Sequence, residues 1–309
     1  MSGSITVAAV QAAPLALEGL PVFGRDDTVA AFADDVMQVR ASVPGRALLV
    51  YPEIHLFGTE DTRLLGSAAE PLDGPLTAAL GEVARAADAW LIPGSVFELG
   101  ENGEIFNTTP VFAPDGQLVA SYRKIFPWRP FEAYTPGNRF VTADIPDVGR
   151  IGLSICYDAW FPELSRHLAW MGADVIVNVV KTTTPDRAQE LVLARANSIV
   201  NQVFTVSVNC AGPVGMGRSI IVDPEGTVLQ ESPDQEPGLL CQHIDFGLVA
   251  EVRERGTAGT NRMWDQFGPS DRPVPLPLYD GEIEPSRWSA SKHNADNAYP
   301  LEATSTYAN

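Results

Sequence analysis

The stretch Ile151-Gly152-Leu153-Ser154-Ile155-Cys156-Tyr157-Asp158-Ala159-Trp160-Phe161-Pro162 decides how the rest of the chain is read. Residues 150–155 are largely apolar and predict a buried strand. A cysteine ends that strand, and Pro162 stands where a helix over 162–171 would open. A strand that turns sharply into a helix exposes the side chain at the turn and brings backbone N–H groups near it. Cys156 is therefore a candidate nucleophile, set against the commoner fate of a cysteine, which is inert burial.

Around this elbow, strands and helices alternate. Residues 4–11 (SITVAAVQ) predict a buried strand, and Val29, Phe32, Ala33, Val36 and Val43 recur at helical spacing over 27–43. Strands follow at 47–51 and 90–96, with a helix at 75–88 between them. Pro114-Asp115-Gly116 marks a turn between strands 106–112 and 118–122. The segment FPWRPFEAYTPG, from residue 126, is an aromatic, proline-rich ordered loop. Strands at 173–180, 203–208, 219–222, 228–230 and 239–244 and helices at 188–200 and 246–255 continue the rhythm. The class is α/β. Residues 1–268 form the proposed domain, and 269–309 a polar, proline-rich tail, loose or laid over a neighbouring subunit.

Composition narrows the partners. A net charge of −18 over 309 residues repels phosphate backbones and anionic membranes, so no nucleic acid and no membrane partner is expected. Three cysteines, Cys156, Cys210 and Cys241, do not make a disulfide framework and fit a reducing, cytoplasmic setting. No signal peptide is evident, and no apolar run is long enough to span a bilayer. The four histidines show no metal-ligand spacing, so no metal is expected. The GPVGMG segment at 212–217 precedes a strand rather than a helix and is a turn, not a phosphate cradle.

Two further segments complement Cys156. Tyr51-Pro52-Glu53 ends a buried strand, where active-site groups of α/β proteins commonly sit. Tyr122-Arg123-Lys124 ends a hairpin strand just before the aromatic loop that carries Glu132. Taken singly, Glu53 is more ordinary as a solvated loop carboxylate and Lys124 as a surface cation. Together, a thiol, a carboxylate and an ammonium can lose a proton, hold an oxyanion and protonate a leaving nitrogen without histidine.

This ordered set resembles the nitrilase superfamily of carbon–nitrogen hydrolases, in its amidase-like branch. The resemblance runs over roughly residues 5–265 and includes Val10-Gln11, Asn107–Phe112, GADVIVNVVKTTTPDR at 172–187 and ARANSIVNQVFTVSVN at 194–209. It implies a four-layer α-β-β-α sandwich, no cofactor, and a homodimer or higher homo-oligomer. It also implies that Cys156 is the nucleophile, Glu53 the general base, and Lys124, with the Tyr157 backbone N–H, the oxyanion holder. Glu132 would position substrate in a cavity bounded by Trp128, Phe131, Tyr134, Tyr157 and Trp160. The implied reaction is hydrolysis of a small amide to an acid and ammonia or amine.

Cys156-Tyr157-Asp158 favours amides over nitriles, whose hydrolases usually carry Cys-Trp-Glu. Trp160 stands where omega-amidase-like members often carry an arginine for a substrate carboxylate; carbamoyl-amine hydrolases can carry tryptophan there. An N-carbamoyl amine hydrolase or a nitrilase is thus the alternative within this chemistry. Acyl transfer and a non-catalytic binding protein on the same fold are the alternatives outside it. Arg129, Arg187 and Arg195 are candidate anion contacts, with surface or dimer salt bridges the more ordinary expectation.

Overall fold

The computed structural model describes residues 3–15, 25–57 and 68–294. The part of the expected tail beyond 294 lies outside them. Strand β1 (Ser4–Gln11) shows how the layers arise. Side chains alternate across a strand, so Ile5, Val7 and Ala9 enter a core between two sheets. Ala8 and Val10 enter a second core under helices. Strand β2 (Ala47–Val50) divides in the same way, with Leu48 and Val50 between the sheets and Ala47 and Leu49 under the helices. Helix α1 (Arg25–Ser42) covers that face with Phe32 and Val36, and α2 (Pro75–Ala87) with Leu76, Leu80, Val83 and Ala84.

The first sheet adds β3 (Trp90–Ile92), β4 (Val96–Leu99), β5 (Ile105–Phe112) and β6 (Leu118–Arg123). Its order is β13-β1-β2-β3-β5-β4, with β6 on β5 and with β13 (Gly238–Asp245) antiparallel to β1. The second sheet holds β7 (Thr142–Ile145), β8 (Gly149–Ile155), β9 (Val175–Val180), β10 (Phe204–Asn209), β11 (Ile220–Val222) and β12 (Val228–Glu231), in the reverse of that sequence order. Strands β8, β9 and β10 are mutually parallel and fully buried. That is the pattern of strands covered on both faces. Helices α3 (Pro162–Trp170) and α4 (Arg187–Asn201) close the outer face, giving α-β-β-α.

One expected strand divides. Residues 90–96 divide between β3 and β4, which pair with different ends of the same edge of β5, because Pro93 and Gly94 interrupt them. Gly94 has φ +90, and a Cβ there would lie 1.8 Å from the Pro52 carbonyl oxygen. Only glycine allows this turn to press on the segment that carries Glu53.

After helix α5 (Gly247–Arg255), the chain returns over α3. Trp288 Nε1 donates to the Met263 carbonyl, Trp170 Nε1 to the Arg287 carbonyl, and Arg150 to the Lys292 carbonyl. The Arg166 guanidinium lies 5.0 Å from the Trp264 ring and 5.5 Å from the Trp288 ring. Residues 285–294 therefore lie on their own chain. No helix among the described residues is long and apolar enough to cross a membrane.

Candidate active site

Four segments at carboxyl ends of strands converge: Glu53 beyond β2, Lys124 directly after β6, Cys156 directly after β8, and Thr182 beyond β9. Glu53 and Lys124 are each 1% exposed, so neither is the solvated charge it would most simply be. On β6, Tyr122 points inward and Arg123 outward to Glu98; Lys124 then points inward again. Its backbone is held on both sides: its N–H donates to the Asn107 carbonyl at 2.9 Å, and its carbonyl accepts from Gly137 at 2.7 Å.

Lys124 Nζ donates to Glu53 Oε1 at 3.0 Å and to Glu132 Oε1 at 2.7 Å. Asn107 Nδ2 donates to the same Glu53 oxygen at 2.8 Å, and the Trp128 N–H to Glu132 Oε2 at 2.7 Å. Burial works against the ammonium of Lys124. Glu53, the Cys156 sulfur and Glu132 outweigh it and hold the pKa well above that of ordinary lysine. Burial also leaves the Glu132 carboxyl above the usual carboxylate range, against the pull of Lys124 and with the repulsion of Glu53 added. Breaking such a set by removing one charge costs about 3–5 kcal/mol.

Cys156 has φ +48 and Ile54, next to Glu53, has φ +52. Left-handed backbone at non-glycine residues costs roughly 1–3 kcal/mol each and is retained where the surroundings over-determine it. Asp158 does this at the elbow. It is wholly buried, accepting at Oδ2 from the Ile155 N–H (3.0 Å) and the Tyr122 hydroxyl (2.8 Å), and at Oδ1 from the Phe126 N–H (2.9 Å). Its carboxyl is pushed up to about 6 by burial, against Lys124 and these three donors. One side chain thus ties the cysteine turn to the hairpin end that bears Lys124. Burial pushes the Cys156 thiol up as well, with Glu53, Glu190 and Glu132 adding to it and Lys124 opposing.

The aromatic residues separate. Trp128 and Phe131 lie with ring centroids 4.3 Å apart, and Phe131 is 65% exposed. Tyr157 and Trp160 lie 6.1 Å apart on the elbow, both half-buried. Tyr134 is a buried packing contact of Ile54 and Phe97, beneath the Glu53 turn. Arg187 corrects the surface expectation. It is 2% exposed, and its guanidinium binds Glu190 (3.0 Å), Ser207 Oγ (3.2 Å) and the carbonyls of Gly217 and Arg218. Arg129 donates to the Tyr134 carbonyl and Arg195 to the Gly226 carbonyl. Of the other cysteines, Cys210 is buried and Cys241 half-buried.

Asn107, Asp158, Thr182 and Glu190 carry no assigned role in the sequence reading. Asn107 and Asp158 had a signal, since both sit inside segments that bear the resemblance. Thr182 also sits inside such a segment, 172–187, while Glu190 lies outside them; their meeting depends on how the 181–187 loop folds back.

A four-layer sandwich with a carboxylate, an ammonium and a cysteine turn at the strand ends is the frame of the nitrilase superfamily. The chain belongs to the carbon–nitrogen hydrolase family, whose profile matches residues 6–254. It is 32% identical over 226 residues to a formamidase of Pseudomonas syringae pv. syringae, covering 71% of this chain and 65% of that protein's length. It is 34% identical over 204 residues to the omega-amidase NIT2 of Homo sapiens, covering 60% and 72%. Among solved structures it is similar to Saccharomyces cerevisiae Nit3, a member of branch 10 of the nitrilase superfamily. That match has TM-score 0.73 and 25% identity, covering 82% of this chain and 94% of the other.

Proposed function

We propose that this protein hydrolyses a small, non-peptide amide to a carboxylic acid and ammonia or an amine, through a thioester on Cys156. The observation that carries the reading is the buried Lys124 ammonium bonded to both Glu53 and Glu132, in the same field as the Cys156 sulfur. A resting thiol needs a base, and Glu53 takes its proton as sulfur attacks the carbonyl carbon. Lys124 stays protonated and, with the Tyr157 N–H, offsets the charge on the tetrahedral oxygen. Glu53 returns the proton to the leaving nitrogen as the C–N bond breaks. It then takes a proton from water, which attacks the thioester, and sulfur leaves and is reprotonated. Glu132 holds Lys124 in place and orients the amide.

The relatives named formamidase and omega-amidase favour a short amide. Trp160, in place of a cation, disfavours a substrate carboxylate gripped at that position. The reading includes self-association, supported by α4, which turns Val192 (66%), Val200 (42%) and Ile199 (36%) to solvent. The test of function is ammonia release from a panel of short amides. Turnover of at least one is expected, with loss of about 10³-fold or more in Cys156→Ala. Equal turnover by that variant would sink the role of Cys156.

A further inference from the structure

Behind the sulfur, on the side of the second sheet and its helix, lies a second buried charge network. Thr182 Oγ1 stands 3.9 Å from Cys156 Sγ. The same oxygen stands 2.8 Å from both carboxylate oxygens of Glu190, which is ion-paired to Arg187 at 3.0 Å. Thr182, Arg187 and Glu190 are 5%, 2% and 7% exposed, so water does not compete for these bonds.

The hydrogen-bond inventory fixes the direction of each bond. A carboxylate paired with a guanidinium accepts only, and a threonine hydroxyl owns a single proton. That proton is therefore committed to Glu190. What Thr182 turns to the sulfur is a lone pair. The backbone permits no reorientation: the Thr182 N–H donates to Asn209 Oδ1 at 2.8 Å, and its carbonyl accepts from Met216 at 2.9 Å and Asn209 Nδ2 at 3.4 Å. Asn209 is itself fully buried and held by the Gly217 carbonyl at 2.9 Å.

We propose that Thr182 is a positioning residue for Cys156, which Glu190 and Arg187 fix as a one-way acceptor: it accepts the resting S–H and offers no hydrogen bond to a thiolate. This rests on the reading of Cys156 as nucleophile and deepens it. The consequence is that the sulfur stays protonated until Glu53 removes the proton in the presence of substrate, which shields it from adventitious alkylation and oxidation. The charged groups around the sulfur are Glu53 beyond β2, Lys124 after β6, Glu132 in the aromatic loop and Glu190 on α4. Asp158 lies two residues further along the elbow. Among them, only the α4 network reaches the sulfur through an uncharged hydroxyl whose proton is already spent.

The test follows the rate of Cys156 alkylation by iodoacetamide against pH, with the modified peptide identified by mass. Thr182→Val keeps the side-chain shape and removes the lone pair. The midpoint of the profile is expected to move acid-ward by about 0.5–1 unit, with alkylation near neutrality about 3–10-fold faster. Thr182→Ser keeps the oxygen and is expected to match the wild type. An unmoved midpoint in Thr182→Val, or an equal shift in Thr182→Ser, overturns the inference. Glu190→Leu removes the acceptor, frees the threonine proton for the sulfur, and is expected to shift the midpoint more with Thr182 present than in the Thr182→Val background. Equal shifts in both backgrounds would mean a through-space charge effect and would also overturn it. None of these readouts needs amide turnover. Should iodoacetamide favour Cys241 over Cys156 at every pH, it is the proposed function that fails.

Discussion

At the scale of single residues, the site consists of polar groups buried at some cost and made to satisfy one another. Lys124 without Glu53 and Glu132 would be an isolated buried cation; with them it is a charge paired on two sides. His55 shows the opposite case. It is wholly buried between Phe32 and Tyr51, and neither ring nitrogen meets a partner among the described residues. Burial pushes its pKa down to about 3. An unfolded histidine titrates near 6.5. With the folded value depressed, the unfolded chain takes up a proton that the native state refuses. The stability due to a neutral His55 is thus complete above about pH 6.5 and is lost as pH falls toward 3. His55→Phe keeps the ring packing and removes this liability. Its acid-unfolding midpoint, followed by circular dichroism, is expected at lower pH than that of the wild type; an unchanged midpoint would count against this account.

At the scale of elements, strands end where chemistry begins. The ends of β2, β6 and β8 were legible because apolar runs stop at Tyr51-Pro52-Glu53, Tyr122-Arg123-Lys124 and Ile155-Cys156. The division of residues 90–99 into β3 and β4 was not, since its cause is a long-range approach of Gly94 to the Pro52 carbonyl. The same holds for Arg187. Its position at the start of α4 suggests solvent, and only the crossing of the 212–218 loop buries it. Thr182 escaped notice for the same reason. Gly94 has a checkable consequence. Gly94→Ala is expected to destabilise the fold by about 2 kcal/mol or more, since both the positive φ and the backbone contact oppose a Cβ. It should also lower turnover by displacing Glu53. Urea denaturation with activity at matched folded fraction checks both, and wild-type behaviour in both would contradict the role given to the turn.

At the scale of the whole molecule, two halves each place parallel strands at the centre of a sheet and meet across one apolar core. The α-β-β-α architecture was implied by resemblance rather than by periodicity, which by itself led no further than α/β. The returning segment at 285–294 fixes Trp288 and Arg166 on α3 and leaves α4 with its apolar row uncovered. Sedimentation equilibrium is expected to find a dimer or larger assembly, and Val192→Glu to shift it toward monomer. A wild-type monomer at micromolar concentration would contradict the self-association reading.

The central claim is that Cys156 becomes acylated and that Glu53 then brings in water. Mass analysis of the wild type, quenched in acid during turnover of a short amide, with Cys156→Ala as control, tests it most directly. The account predicts the substrate's acyl group on the peptide bearing Cys156 in the wild type, and no acyl group on the corresponding peptide of Cys156→Ala. A substrate turned over by the wild type with no acyl mass ever found on that peptide, and still turned over by Cys156→Ala, would contradict it.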